Sequence, residues 1–385
     1  MNFRGNWNYP TSIRFGAGRI KELPEAVKAA GIAKPLFVTD PNLAGMPMTV
    51  AAVASLAAVG PMPTLFTDFR PNPVGANITS GIAAFRAGGH DGVVAFGGGS
   101  ALDVGKLIAF MAGQTQPIWE FEDIGDRWTH ADPTVIAPIV AVPTTAGTGS
   151  EVGRAGVVTQ ETTRTKKVVF HPLMMPKTAI CDPELTVGMP ALITAGTGMD
   201  ALSHCLEAYC GNFYHPMADG IAIEGVRLVR QSLARAVKHG DDLEARAQMM
   251  SAAAMGATAF QKALGAIHAL SHPVGALYDT HHGLTNAVFI PYVLVFNRKA
   301  IEDKIKRLAA YIGLKPTFRA FLEWILELRA EIGVPNTLQD LGVNDDQIDL
   351  IVEMAPKDPT AGGNPVALDK RAARTIFRRA LEGRL

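Results

Sequence analysis

The histidines of this sequence are concentrated in two segments that also contain an aspartate. Asp200 and His204 lie four residues apart, as do His268 and His272, and residues at this spacing share one face of a helix. The candidate residues are one carboxylate and five of the ten histidines of the chain: Asp200, His204, His268, His272, His281 and His282. A carboxylate with several imidazoles is the ligand set of a divalent transition metal. The cluster therefore predicts a metal site.

The spacing alone does not decide which four of these six side chains bind the ion. Any one of the histidines, taken by itself, is better explained as a partly buried residue with no ligand. His281 and His282 are adjacent, so their side chains point in different directions, and we expect only one of them to bind.

A strand, three glycines and the start of a helix are predicted around residues 93–103. The sequence there reads Val93-Val-Ala-Phe-Gly-Gly-Gly-Ser-Ala-Leu-Asp103. Glycines let the backbone approach a ligand closely, and free N–H groups at a helix N-terminus favour a phosphate. Ser100 is the expected N-cap, with Asp103 three residues later in a variant of the capping box. The alternative is a tight turn without a ligand, since the segment is not a standard G-x-G-x-x-G motif.

Two further loops follow predicted strands. Asp40 ends the strand Leu36–Thr39, where a carboxylate can accept hydrogen bonds from a ribose and would repel a 2′-phosphate. Taken alone, Asp40 is equally well explained as a turn residue before Pro41. The other loop is Pro143-Thr-Thr-Ala-Gly-Thr-Gly-Ser-Glu151. Three polar loops at the carboxyl ends of strands are best explained by one shared nucleotide, NAD in preference to NADP.

The first half of the chain alternates short apolar runs with helical patterns. Strands are predicted at 35–39, 64–67, 93–96 and 136–142, and helices near 46–59, 74–87 and 100–112. This alternation predicts an open parallel sheet covered by helices on both faces. Val157-Val-Thr and Val168-Val-Phe, separated by a polar stretch, predict a hairpin appended to that sheet.

The pattern becomes helical after about residue 188. Six helices are predicted, at 191–210, 217–238, 242–264, 299–312, 315–332 and 366–382. We therefore expect a boundary near 185–190 and an all-helical second domain.

Composition limits the function classes. A chain of 385 residues suggests about two domains, and Lys+Arg and Asp+Glu balance at 36 each, so no net field attracts nucleic acid or anionic lipid. Three cysteines fit a reducing compartment better than a disulfide framework. The first seven residues, Met1 to Trp7, lack the apolar core of a signal peptide, and no apolar run is long enough to span a bilayer. The protein is expected to be cytoplasmic.

These motifs, in this order, resemble those of the iron-containing (group III) alcohol dehydrogenases along essentially the whole chain. The matching segments are Gly97–Asp103, Pro143–Glu151, Gly198–His204, His268-x3-His272-Pro-Val-Gly and His282-Gly283. The resemblance implies a dehydroquinate synthase-like architecture. In it, a Rossmann-like α/β domain at 1–187 binds the dinucleotide, and a helical domain at 188–385 binds the metal and the substrate.

The resemblance also selects among the candidate residues. It implies a metal, Fe²⁺ or in its place Zn²⁺, held by Asp200, His204, His268 and His282. It leaves His272 near the nicotinamide and the substrate as the hypothesised proton relay, and His281 as a bystander. It implies that NAD(H) contacts Asp40, Asn72, Gly98, Gly99, Ser100, Asp103, Thr144, Thr145, Thr148 and Lys166. Whether Lys166 or its neighbour Lys167 aligns with the family's lysine stays open.

The implied reaction interconverts a small primary or secondary alcohol and its aldehyde or ketone. A cation stabilises the alkoxide of a bound alcohol, and hydride then passes from the carbinol carbon to nicotinamide C4. The alternatives are a glycerol dehydrogenase-like or other superfamily member acting on an anionic hydroxy compound, or a non-catalytic protein that binds NAD and metal. Relatives are commonly homodimers or larger, so a homo-oligomer is expected.

Two departures from the family pattern bear on the substrate. Arg154 follows the loop that ends at Glu151, and Lys262 precedes His268. The two cations could clamp an anionic substrate. Structural salt bridges are the alternative explanation, and the better one.

Overall fold

The computed structural model of the protein describes Tyr9 and residues 11–385. The segment from Met1 to Trp7, in which no signal peptide was found, lies outside the described residues. The chain divides into two compact units. We call them the α/β unit, made of Tyr9–Thr145 and Gly149–Val187, and the helical unit, made of Ala146–Thr148 and Gly188–Leu385.

The α/β unit is built around a six-stranded sheet in the order β1-β8-β5-β4-β2-β3, with every strand pair parallel. Its strands are β1 Ser12–Phe15, β2 Pro35–Thr39, β3 Thr64–Phe66, β4 Gly92–Gly97, β5 Ile139–Pro143 and β8 Thr178–Cys181, and β6 Ala155–Gln160 and β7 Thr165–Phe170 form a second sheet. Its helices are α1 Leu23–Ala29, α2 Pro41–Ala44, α3 Pro47–Ala57, α4 Gly75–Gly88 and α5 Gly99–Met111.

The central strands are apolar on both faces because helices cover both. Side chains alternate along a strand, so Leu36 and Val38 of β2 join the core packed against α5. Phe37, between them, joins the opposite core beneath α1 and α3. Burial on both faces explains why these strands are continuous hydrophobic runs. The predicted parallel sheet and its four strands are confirmed.

Three details differ from the sequence-based expectation. The predicted strand 136–142 begins only at Ile139, because residues Pro133–Val135 form a 3-10 turn and Pro138 has no N–H to donate. The hairpin is not part of the parallel sheet: β6 and β7 pair antiparallel as a separate two-stranded sheet. Two strands, β1 and β8, were not predicted; β1 is largely exposed, so its sequence has no buried apolar run.

The helical unit contains no strand within the described residues. Its helices are α6 Ala191–Cys210, α7 Pro216–Lys238, α8 Leu243–Ala259, α9 Ala266–Tyr278, α10 His282–Tyr311, α11 Phe318–Glu331, α12 Ile348–Met354 and α13 Lys370–Glu382. A parallel α/β unit followed by helices confirms the predicted fold class. The assignment of cofactor binding to 1–187 and of metal and substrate binding to 188–385 stays a prediction.

Helix ends account for the differences in this unit. The predicted helix 242–264 ends at Ala259, and the predicted helix 299–312 begins much earlier, at His282, and continues through Pro291. Two helices, α9 and α12, were not predicted. Within the described residues, no helix has the length and apolar character needed to cross a bilayer.

Candidate active site

The positions of α6 and α10 depend on two glycines. A Cβ atom on Gly283 would lie 2.1 Å from the carbonyl oxygen of Gly196 and 3.2 Å from Cβ of Asp200. Only glycine permits the two backbones to approach this closely. The close crossing brings the first residue of α10, His282, to the face of α6 that carries Asp200. Gly283 is therefore part of the construction of the site, although its motif was read only as a family signature.

The ligand atoms of the predicted metal site converge in the helical unit. The Nε2 atoms of His204 and His268 each lie 3.7 Å from Oδ1 of Asp200, and Nε2 of His282 lies 3.5 Å from the same oxygen. Ligand atoms of Asp200, His204 and His268 all lie within 4.8 Å of one another. Four ligands about 2.1 Å from one ion at tetrahedral corners would be about 3.4 Å apart. The observed separations suit a single first-row divalent ion.

A further side chain, Asn286, shows that these atoms are oriented toward a positively polarised group. Its Nδ2 lies 2.8 Å from Oδ1 of Asp200, 3.2 Å from Nε2 of His268 and 3.1 Å from Nε2 of His282. An amide has two hydrogens and cannot donate to three acceptors at once. Its buried Oδ1 has no hydrogen-bond partner among the described residues. A divalent cation could interact with all of the converging oxygen and nitrogen atoms at once, which one amide group cannot do. The residues of the cluster therefore fit a metal ion.

The electrostatics of the cluster agree with this fit. Burial raises the pKa of Asp200, but His204, His282 and His268 outweigh burial and hold that pKa well below its usual value. Burial lowers the pKa of His204 to about 4. Burial would also lower the pKa of His268, but Glu207 and Asp200 raise it to about 9. A cation and a proton therefore compete for His268, as expected for a histidine ligand.

Two carboxylates that the sequence analysis did not identify accept hydrogen bonds from the Nδ1 atoms of His268 and His272. Oε2 of Glu207 lies 2.6 Å from Nδ1 of His268, and Oδ2 of Asp358 lies 2.8 Å from Nδ1 of His272. Burial raises the pKa of Asp358, but His272 and Thr360 lower it below the usual value. Helical spacing could have indicated Glu207, which is seven residues after Asp200. Asp358 is 86 residues from its partner, so no local pattern marks it.

The remaining histidines of the cluster have different roles. His281 is the N-cap of α10, where its Nδ1 accepts a hydrogen bond from the backbone N–H of Leu284. This role agrees with the expectation that only one of the adjacent histidines is a ligand. The His272 ring lies beside the cluster, with its centroid 5.5 Å from that of His282 and 5.8 Å from that of His268.

The predicted nucleotide loops follow β2, β4 and β5, which are neighbours in the sheet. Gly97 has φ +147°, and a Cβ atom there would lie 2.8 Å from Cβ of Ala101. The carbonyl of Gly97 accepts a hydrogen bond from the N–H of Thr144. A Cβ atom on Gly98 would lie 3.2 Å from Cγ2 of Thr145. The glycine and threonine loops thus lie together at one edge of the sheet, where open α/β sheets bind ligands.

Three other predicted cofactor contacts have protein partners. Asp40 is the N-cap of α2, with Oδ1 2.8 Å from the N–H of Asn42. Nζ of Lys166 donates to Oδ1 of Asn72, 2.8 Å away, whose backbone is left-handed at φ 54°. The neighbouring Lys167 forms an ion pair with Glu122 instead. Of the two lysines, Lys166 is therefore the one that meets another predicted cofactor residue.

The capping prediction for α5 is wrong. The N-cap is Gly98, and Ser100 lies inside the first turn. Both oxygens of Asp103 bind the protein, accepting from Oγ of Ser150 at 2.5 Å and from the N–H of Val157 at 3.0 Å. The carboxylate points back into the α/β unit because those donors lie there. A phosphate at the predicted site of Gly98, Gly99, Ser100 and Asp103 would therefore have to be bound by backbone N–H groups.

Arg154 and Lys262 each have a structural partner within their own unit. The ammonium of Lys262 is buried and forms an ion pair with Asp219 at 2.5 Å. The guanidinium of Arg154 lies over the Phe170 ring, 5.3 Å from the ring centroid. Burial lowers the pKa of Arg154, and the nearby Asp123 partly opposes that shift. The Lys262 contact supports the salt-bridge alternative, and the Arg154 contact supports a structural role through an aromatic ring. Thr148, the last predicted cofactor residue, is half-buried and belongs to the short segment that groups with the helical unit.

Known proteins match the chain along nearly its full length. The family model described as iron-containing alcohol dehydrogenase matches residues 10–183, and the C-terminal model of the Fe-containing alcohol dehydrogenase family matches residues 194–381. A 4-hydroxybutyrate dehydrogenase of Cupriavidus necator is 37% identical, over 97% of this chain and 98% of that protein. A 1,3-propanediol dehydrogenase of Citrobacter freundii is 36% identical, over 95% of this chain and 96% of that protein.

Solved structures agree. A 1,3-propanediol oxidoreductase superposes with a TM-score of 0.92 at 35% identity, covering 98% of this chain and all of the other. A sulfoacetaldehyde reductase from Bifidobacterium kashiwanohense, solved in complex with NAD⁺, gives a TM-score of 0.89 at 31% identity, covering 98% and 99%.

Proposed function

Because the chain belongs to the iron-containing alcohol dehydrogenase family and is an NAD-dependent alcohol dehydrogenase, we propose which residues carry the reaction and which alcohols it takes. The family uses iron and NAD(H). The observation that carries the proposal is the convergence of one carboxylate oxygen and three imidazole nitrogens, with separations of 3.5 to 3.7 Å from that oxygen. The proposed ligands are Asp200, His204, His268 and His282, and the metal is Fe²⁺, with Zn²⁺ as the alternative.

The metal supplies Lewis acidity, which favours loss of the proton from the substrate hydroxyl. The protein then has to accept that proton. His272 is the proposed acceptor, since its ring lies beside the ligand cluster and Nδ1 is held by Asp358. With Nδ1 donating to the carboxylate, Nε2 is left as the basic atom.

NAD(H) is proposed to bind at the edge of the sheet formed by β2, β4 and β5. Backbone N–H groups after Gly98 would bind the pyrophosphate, because they begin a 13-residue helix and have no acceptor within it. Asp40 would contact the adenosine ribose, and its charge disfavours the 2′-phosphate of NADP. Contacts from Asn72, Thr144, Thr145, Thr148 and Lys166 complete the proposed site.

The proposed substrate is a small primary or secondary alcohol, or the corresponding aldehyde or ketone. Two relatives are named for 1,3-propanediol and 4-hydroxybutyrate, which are both short molecules but differ in charge. These names support a substrate with a short carbon chain and do not decide which group lies at its far end. Lys262 is paired with Asp219 and Arg154 lies over the Phe170 ring, which favours a neutral substrate over an anionic one. We also propose a homodimer or larger homo-oligomer in the cytoplasm, testable by sedimentation and by cell fractionation.

The test is NAD⁺ reduction by the purified, metal-loaded enzyme with short alcohols of three or four carbons. 1-Butanol, 1,3-propanediol, 2-butanol and 4-hydroxybutyrate cover neutral primary, diol, secondary and anionic substrates. We expect the highest kcat/KM for a neutral primary alcohol. A preference of tenfold or more for 4-hydroxybutyrate would contradict the neutral assignment. If the nicotinamide absorbance did not change with any of these alcohols or with the matching aldehydes, the assignment as a dehydrogenase would be contradicted.

A further inference from the structure

Glu207 lies on the same face of α6 as two proposed ligands. Asp200, His204 and Glu207 are spaced by four and then three residues, which places them in successive turns of one helix face. Only 5% of the Glu207 side chain is exposed. A carboxylate buried to this extent needs partners that satisfy its oxygens.

Both oxygens have such partners, and both partners are at the start of α9. Oε2 lies 2.6 Å from Nδ1 of His268, and Oε1 accepts a hydrogen bond of 2.6 Å from the backbone N–H of Ile267. Ile267 is in the first turn of the helix, where backbone N–H groups have no acceptor within the helix. One carboxylate therefore fixes both the His268 ring and the backbone that carries it.

This contact decides which ring nitrogen is free to bind the metal. An ionised carboxylate only accepts hydrogen bonds, so the proton of a neutral His268 ring must be on Nδ1. Nε2, which lies 3.7 Å from Oδ1 of Asp200, is then left with its lone pair directed at the ligand cluster. A ring with the opposite tautomer would present N–H to the metal and could not bind it.

We propose that Glu207 is the positioning residue of the metal site, which holds His268 in the ligating tautomer and orientation. The inference rests on the proposed metal ligands. It also distinguishes the Glu207–His268 pair from the Asp358–His272 pair. Glu207 acts on metal affinity through His268, whereas Asp358 acts on proton transfer through His272, which is not a ligand.

The substitution Glu207→Gln tests this directly. The Gln amide keeps the size of Glu, but its oxygen can accept from only one side while its N–H group faces the other. If the oxygen stays on Ile267, the amide donates to Nδ1 of His268 and favours the tautomer that cannot ligate. Loss of such an outer carboxylate typically lowers metal affinity 10- to 100-fold, about the range expected here. Asp358→Asn is the matched control, and we expect its affinity to stay within about twofold of the unsubstituted protein.

Affinity for Zn²⁺ and Fe²⁺ would be measured by competition with a chelator on the metal-free full-length proteins. Thermal melting of the metal-free forms reports whether Glu207→Gln acts only through loss of structure. A 10- to 100-fold loss of affinity with an unchanged melting temperature supports the proposal. Equal affinity for Glu207→Gln and the unsubstituted protein would overturn it. If Asp200→Asn, measured in parallel, also bound metal normally, the proposed metal site itself would fail.

A second measurement needs no variant of Glu207. In the zinc-loaded enzyme labelled with ¹⁵N-histidine, NMR distinguishes the protonated ring nitrogen from the metal-bound one. We expect His268, assigned by loss of its signals in His268→Gln, to carry its proton on Nδ1 with a strongly downfield N–H resonance. A His268 ring protonated on Nε2 would overturn the proposal even if Glu207→Gln did not fold.

Discussion

The helical unit and the α/β unit present their functional groups in different ways. In the helical unit the candidate site consists of side chains, whose ligand atoms converge on Oδ1 of Asp200. In the α/β unit the side chains of Asp40, Asp103 and Lys166 already have protein partners, and the backbone at the strand ends is the part suited to a phosphate. The metal site should thus be sensitive to changes of ligand and of helix spacing. The nucleotide site should be sensitive to changes in backbone conformation.

The largest effect that would test this comparison is expected from Gly283→Ala. The added methyl group would lie 2.1 Å from the Gly196 carbonyl oxygen and would force α10 away from α6. His282 would then leave Asp200, and we expect turnover to fall on the order of a thousandfold, equivalent to about 4 kcal/mol of transition-state stabilisation. Metal content per chain, measured by elemental analysis, should fall with it.

Gly220→Ala is the matched control in the same unit, since a Cβ atom there has no atom within 4 Å. It should retain metal and activity. A Gly283→Ala enzyme with normal metal content would show that the close helix crossing is not needed to form the site.

Removal of the proposed proton acceptor should separate catalysis from metal binding within the helical unit. We expect His272→Ala to lower kcat about a hundredfold, as is typical for loss of a general base, while metal content stays unchanged. Asp358→Asn should lower kcat less, because the imidazole remains. Steady-state rates over a range of pH provide the measurement, and full turnover by His272→Ala at every pH would exclude the role.

The backbone substitution Gly97→Ala tests the α/β unit. Alanine is strained at φ +147° and its methyl group would meet Ala101 at 2.8 Å, so the turn must shift. We expect the KM for NAD⁺ to rise about tenfold, with metal content unchanged. Ser100 lies three residues after Gly97, inside the first turn of α5, and is not the helix cap. Ser100→Ala should therefore change the KM for NAD⁺ less than twofold. If Ser100→Ala were the more damaging change, the site would depend on side chains after all.

The smallest expected effect concerns stability of the α/β unit. Burial raises the pKa of Glu151 to about 7, although Lys106 opposes the shift. A carboxyl group whose pKa is raised in the folded state binds more protons in the folded protein than in the unfolded chain. The folded state is therefore destabilised as the pH rises from about 4.5 to 7. The loss is at most about 3 kcal/mol. Glu151→Gln should flatten the pH dependence of the melting temperature over that interval, and an unchanged slope would contradict the assignment.

Periodicity predicted most of the fold because the sheet interior and the helix faces have strong patterns. It missed β1 and β8, and it appended the β6–β7 hairpin to the parallel sheet because strand pairing is not a local property. Spacing in the sequence marked the cluster that contains Asp200 and His204, but only the resemblance to the family selected the four proposed ligands from it.

Other parts of the site depend on contacts between distant segments. Asn286 and Glu207 follow ligands at helical spacing, but nothing in their residue types separates them from ordinary polar residues. Asp358 meets His272 only through the fold. The resemblance implied a cofactor role for Asp103, and the sequence does not show that Ser150 and Val157 donate hydrogen bonds to its carboxylate.

The most direct test of the central claim is the metal stoichiometry of the purified enzyme beside that of Asp200→Asn. Both proteins would be expressed with iron and zinc available, and elemental analysis would be paired with NAD⁺ reduction on an alcohol substrate. We predict one divalent ion per chain in the unsubstituted enzyme. In Asp200→Asn we predict almost no metal and almost no activity, with the melting temperature of the metal-free form preserved. An unsubstituted enzyme that is active without metal, or an Asp200→Asn enzyme that retains a full ion per chain, would contradict the account.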